Sequence, residues 1–140
     1  MQFIYSDGGR KAAGFKGSAR DCATRAIAIA SGLPYLTVYN GINLAAMAER
    51  NRHLSGGSSA RTGVYRDTLR RYLASLGWKW TPTMQIGSGC KVHLRKDELP
   101  AGRLIVNCSR HIVAVIDGVV FDTHDPTREG TRCVYGYWHR

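Results

Sequence analysis

Three residues of this 140-residue chain have the types and settings that thiol chemistry needs: Cys22, His111 and Asp122. Cys22 follows Asp21, a favoured helix N-cap, and opens the Ala/Ile-rich run to Ser31. In a first helical turn the unpaired N–H groups and the helix dipole favour a thiolate. Such a thiolate needs a base or cation beside it, usually histidine. His111 opens the run His111–Ile112–Val113–Ala114–Val115–Ile116, where an imidazole at the mouth of an apolar strand requires a partner. Asp117–Gly118 then separates two apolar runs and is a short hairpin signal. With those two residues as the turn, Ile116 pairs with Val119, Val113 faces Asp122, and His111 faces His124. Side chains alternate along a strand, so His111, Val113, Asp122 and His124 share one face. Asp122 lies diagonal to His111 and is the expected orienting carboxylate, with Asp125 and His124 behind it. Alone, Cys22 reads as a buried small residue of a packed helix; its pairing with His111 and Asp122 argues for function.

A rival constellation shares the same histidine. Cys90–Lys91–Val92–His93 and Cys108–Ser109–Arg110–His111 are both C-x2-H pairs and together could make a Cys2His2 zinc site in a nucleic-acid binder. Zinc knuckles normally sit on tight Gly-containing turns. Leu104 to Ile116 instead reads as apolar strands broken only near Ser109–Arg110. A chain of this length also builds a core without zinc. No metal or cofactor is therefore expected, and in the plain reading Cys90 is a loop thiol and His93 a solvated side chain. The four scattered cysteines, the fourth being Cys133, are expected as free thiols or metal ligands rather than a disulfide framework.

The elements that must position these residues follow from periodicity and punctuation. A strand is expected over Gln2 to Tyr5, then a loop rich in Gly, Lys and Arg. The first helix runs from Cys22 to Ser31 behind Asp21, with Gly32 after its end. The second runs from Pro34 to about Arg50 and the third from about Val64 to Leu76. His53 to Gly63 is Gly/Ser-rich, and its centre at Gly56–Ser59 suggests mobility. Strands are expected at Trp78 to Trp80, Leu104 to Val106, Ile112 to Ile116, Val119 to Phe121 and Val134 to Trp138. Helices first and an antiparallel sheet after them make the class α+β, in one domain over residues 1–140. Trp78, Trp80 and Trp138 read as packing residues. His139 and Arg140 read as a mobile end.

Composition bounds the partners. Hydrophobic residues make up 44% of the chain, and no apolar run approaches the ~20 residues of a membrane helix. With no secretory signal at the N-terminus, the expected compartment is the cytoplasm, away from membranes. Twenty Lys and Arg against ten Asp and Glu give a net charge of +10, a field that attracts nucleic acid or acidic proteins. Arg61, just before the third helix, and Arg66, Arg70 and Arg71 on it read as a solvated face or an anion-binding stripe.

Asp21–Cys22–Ala23 opening an apolar helix resembles the nucleophile helix of papain-like cysteine peptidases. His111 to Thr123 resembles their histidine and Asn/Asp strands. The order Cys, His, acid or amide is similar to the peptidase C39 and NlpC/P60 branches, and the helix-then-sheet plan covers the whole chain. The chain also resembles small papain-like proteins of phages and mobile elements. That resemblance implies a papain-like fold and thiol-dependent cleavage or acyl transfer at an amide, isopeptide or thioester bond of a protein or peptide. Cys22 would attack the carbonyl carbon. His111 would take the thiol proton and later protonate the leaving group, and Asp122 would fix its tautomer. The Cys22 N–H would form part of an oxyanion hole. One departure from the family is plain: no Gln stands just before the cysteine. Ser18, Arg20 or Lys16, or Gln2 folding back, are the candidate second donors. The alternative is a non-catalytic basic module that binds an acidic protein or nucleic acid, and a phage-type origin would suit inhibition of a host defence.

Overall fold

The computed structural model of the protein describes residues 1–17, 19–49 and 59–140. Cys22–Ser31 forms α1, Tyr35–Glu49 forms α2 and Arg66–Ser75 forms α3. The strands are β1 (Gln2–Tyr5), β2 (Lys79–Pro82), β3 (Val92–His93), β4 (Arg103–Cys108), β5 (His111–Ile116), β6 (Val119–Asp122) and β7 (Cys133–His139). The class is α+β, three helices packed on a seven-stranded sheet. The sheet order is β1-β6-β5-β4-β7-β2, with β3 also on β7.

The sheet is mixed, which corrects the expectation of an antiparallel one. β1 runs parallel to β6, pairing Gln2 with Val119 and Tyr5 with Asp122, while the other pairs are antiparallel. The expected hairpin register holds: Ile116 pairs with Val119 and Ala114 with Phe121. Asp117 and Gly118 both adopt positive φ, +48° and +78°. That is the backbone a two-residue turn needs to match the strand twist, and it explains why Gly follows Asp there.

Alternation along the strands divides the core in two. Ile105, Ala114 and Trp138 pack with Ile27, Val38, Ile42, Leu69 and Leu73 of the helices. Leu104, Val106, Val113, Val115 and Val120 face the other way, beneath Leu94 and Leu99. α1 packs across β4, β5 and β6. Its Ile27 is fully buried, a burial that stabilises by ~1.5–3 kcal/mol. The helix ends at Gly32, whose φ of +76° brings its N–H to the Ala28 carbonyl. Arg103 Nη1 donates to the Ile29 and Ala30 carbonyls at 3.3 and 3.1 Å, which satisfies the last turn and ties it to β4. Gly41 of α2 lies against the Tyr72 ring of α3, where a Cβ would come within 2.5 Å of Cε1.

Several local expectations shift. α2 begins at Tyr35 rather than Pro34, and α3 at Arg66 rather than Val64. The mobile centre proposed for the Gly/Ser loop lies outside the described residues up to Ser58. Ser59 pairs back on Gly63, with Ala60 buried between them. Trp78 and Trp138 are core, as expected. His139 and Arg140 are not loose. His139 Nε2 lies 2.9 Å from Thr81 Oγ1, and the Arg140 guanidinium sits 5.0 Å above the Trp78 ring. Among the described residues no helix is long and apolar enough to cross a membrane.

Candidate active site

The site forms where the first turn of α1 meets the open end of the β5–β6 hairpin. Cys22 is the first residue of α1, so its N–H has no intrahelical acceptor. The two-residue turn Ser109–Arg110 sets Cys108 opposite His111 and makes His111 the first residue of β5. Arg132 Nη2 braces that turn by donating to the Ser109 carbonyl at 2.5 Å. Val113 and Val115 pack on the far face of the sheet, but at the strand end His111 meets α1. Its Nε2 donates to Asp122 Oδ2 at 2.5 Å. With Nε2 so engaged, Nδ1 is the ring atom left for the Cys22 thiol, and the two groups shift each other's ionisation.

The electrostatics fit an ion pair. Burial opposes the Cys22 thiolate. The hydrogen bond and charge of His111, the Ile112 N–H and the Arg25 guanidinium outweigh it and hold the thiol below its usual range. Burial likewise opposes the His111 imidazolium. Hydrogen bonds and charge from Asp122 and Cys22 win, and its pKa rises to about 9. Asp122 is buried, yet His111, the Thr123 N–H and Arg25 hold it below the ordinary carboxylate range. Cys108 is the contrast: burial pushes that thiol up to about 12, so of the two free cysteines only Cys22 has a nucleophile's environment.

Arg25 is the site residue that reading the sequence missed. It lies one turn after Cys22. Nη1 pairs with Asp21 Oδ1, and Nη2 reaches Asp122 Oδ1 at 3.4 Å. Tyr35 OH donates to Asp21 Oδ2 at 2.6 Å, and Arg10 Nε approaches the same oxygen at 3.5 Å. Asp21 therefore occupies the N-cap position without capping: its side chain makes no cap hydrogen bond. Its charge, beside the thiol, is spent on Arg25 and Arg10. The i,i+4 spacing of Asp21 and Arg25 was the available signal, but their further partners arrive from distant elements.

The remaining candidates separate. Asp125 is exposed and turned away, its Oδ1 accepting from Thr127 N at 2.9 Å and Thr127 Oγ1 at 2.7 Å. His124 is exposed, its ring centroid 5.3 Å from that of His111. Ser18 lies outside the described residues. Arg20 is exposed and its backbone N–H donates to the Arg61 carbonyl, so that N–H is not turned to the thiol. Gln2 pairs with Val119, at the opposite end of β6 from Asp122.

The zinc reading is overturned by a disulfide. Cys90 is bonded to Cys133, with Cα atoms 5.8 Å apart. This also corrects the expectation of free thiols or metal ligands at those two positions: 43 residues separate the partners, and β3 pairing on β7 brings them together. Cys108 is buried in the far core, and His93 Nδ1 lies 3.2 Å from Glu98 Oε1. Four ligands at Cys90, His93, Cys108 and His111 are not assembled. His111, Asp122 and His124 do bring one ligand atom each within 4.8 Å of one another. Two of the three are committed to each other, and the Arg25 guanidinium beside Asp122 opposes a cation there.

No family model, curated protein sequence or solved structure matches the chain.

Proposed function

We propose that this protein is a papain-like thiol enzyme, hydrolysing or transferring an acyl group at an amide, isopeptide or thioester bond of a protein or peptide. One observation carries the reading: His111 is clamped to buried Asp122 at 2.5 Å, and it holds the thiol of Cys22, in the first turn of α1, below its usual range. Cys22 attacks the carbonyl carbon as thiolate. His111, as imidazolium, donates its proton to the leaving group, then draws one from the incoming water or acceptor that cleaves the thioester. Asp122 holds the ring so that one nitrogen always faces the thiol. The Cys22 N–H, free of the helix ladder, is one oxyanion donor. The helix-on-sheet arrangement supports the papain-like assignment. The cytoplasm remains the compartment proposed from the sequence, set against a disulfide of a kind that persists most readily in oxidising surroundings.

The test is the rate of Cys22 alkylation by iodoacetamide from pH 5 to 9, in the wild type and in His111→Ala. The wild-type rate stays high well below the range of an ordinary thiol, because the lowered Cys22 pKa keeps thiolate present there. In His111→Ala the profile moves up to that of a free thiol. Turnover, where a substrate is found, fades as pH passes about 9, where His111 loses the proton it must donate. Free-thiol labelling in both proteins would overturn the enzyme reading.

A further inference from the structure

A cleft of about 480 Å³ borders the site. Its walls include Asp21 and Arg25, which flank Cys22 on α1, and Thr123, which follows Asp122. The remaining wall is the N-terminal loop, with Arg10, Lys11, Phe15 and Lys16, and Tyr5 at its rim.

The charges in this cleft are not evenly matched. Four cations face it, Arg10, Lys11, Lys16 and Arg25, against two carboxylates, Asp7 and Asp21. Both carboxylates are already spent. Asp7 accepts the Gly9 and Lys11 backbone N–H groups at 2.9 Å each. Asp21 is engaged by Arg25, Tyr35 and Arg10. Arg10 is also committed, since its Nη2 donates to the Lys16 and Gly17 carbonyls at 3.2 and 2.7 Å. That bond pulls the loop closed and presents Lys11 and Lys16 at the opening. Their ammonium groups make no ion pair among the described residues. Phe15, packed edge-on against Tyr35 and tilted against Tyr39 with centroids 5.2 and 4.6 Å apart, gives the same opening an apolar wall. An apolar wall with two unspent ammonium groups suits a ligand with an oxyanion on a short stem.

We infer that this cleft is a substrate subsite that receives an anionic group, a carboxylate or a phosphate, carried by the molecule that Cys22 acylates. This rests on the thiol-enzyme reading for its link to Cys22, but not for the binding of the anion. The anion lies between Lys11 and Lys16 at the mouth, and the scissile carbonyl extends past Arg25 toward the thiol.

Three probes at constant ionic strength test it: triglutamate, inorganic pyrophosphate and neutral triglutamine. Each is titrated into 15N-labelled protein, following the amides of Lys11, Gly17 and Ala19, and into the iodoacetamide reaction of Cys22. Triglutamate or pyrophosphate is expected to move those amides and slow alkylation, and triglutamine to do neither. A response to triglutamate alone marks a peptide carboxylate as the natural group, and a response to pyrophosphate alone marks a phosphate; both support the subsite. In Lys11→Ala/Lys16→Ala the anion binds roughly five- to tenfold more weakly, the scale of two exposed ion pairs. In Lys79→Ala/Lys91→Ala, which removes the same charge elsewhere, binding is retained. No amide shift in the wild type, or equal loss in both double variants, overturns the subsite. Amide shifts without slowed alkylation overturn its role toward substrate. Free-thiol reactivity of Cys22 with normal amide shifts defeats the thiol-enzyme reading while leaving an anion site.

Discussion

Arg25 holds two carboxylates that are each almost wholly out of water, Asp21 and Asp122, with side chains 1% and 3% exposed. Counted together, the positive charges of Arg25, His111 and Arg10 balance the negative charges of Cys22 and the two aspartates. Removing one member of such a buried set costs far more than the net worth of the pair, because the partner is left charged and unpaired. Arg25→Ala is therefore expected to lower stability by ~3–5 kcal/mol, read by urea denaturation at pH 7. Its surviving folded fraction should label with iodoacetamide at a higher pH than wild type, since the guanidinium helps hold the thiol down. An unmoved labelling profile would reduce Arg25 to a purely structural strut. At this scale the sequence was half legible. His111 and Asp122 could be placed because a two-residue turn fixes which side chains share a face. Arg25, Tyr35 and the true use of Asp21 could not, because the N-cap preference is local while the partners that captured the carboxylate come from other elements.

Among the elements, the β5–β6 hairpin and the three helices follow from punctuation that any chain would obey: Asp117–Gly118, Gly32 and the apolar spacing between them. The parallel seat of β1 does not. Four residues carry no sign of which strand they will join, and pairing across almost the whole chain leaves no local signature. The Cys90–Cys133 bond is hidden for the same reason, since it depends on β3 finding β7. Its expected consequence is concrete. Unreduced, denatured protein should titrate two thiols out of four, and Cys90→Ser/Cys133→Ser should lose ~2–4 kcal/mol of stability by freeing a long loop in the unfolded chain. Four titratable thiols would remove the bond from the fold.

For the molecule as a whole, the net charge of +10 first suggests nucleic acid. Much of it has another use. Arg10, Arg61, Arg71, Arg95, Arg103 and Arg132 each donate to a backbone carbonyl of a loop or a helix end. The planar guanidinium serves several acceptors in fixed geometry, which an ammonium does not. A chain with Lys at positions 10, 95, 103 and 132 keeps its charge, yet each change should cost ~1–2 kcal/mol in thermal denaturation. Residual nonspecific binding to DNA, governed by net charge and falling steeply with salt, should stay the same in that chain. Undiminished thermal stability would return the arginines to a ligand-binding role.

The parallel pairing of β1 with β6 also sets an order of events during synthesis. Tyr5 lies beside Asp122, and the Ser6 N–H donates to the Asp122 carbonyl at 2.9 Å. The strand that supports the acid leaves the ribosome well before the acid itself does. Closing so long a loop is slow, and its contacts reward the chain only at the end. Between the synthesis of Cys22 and that of His111, the nascent chain carries its thiol with neither His111 nor Asp122 in place. The nucleophile is thus switched on only once the β5–β6 hairpin has been made and has met α1.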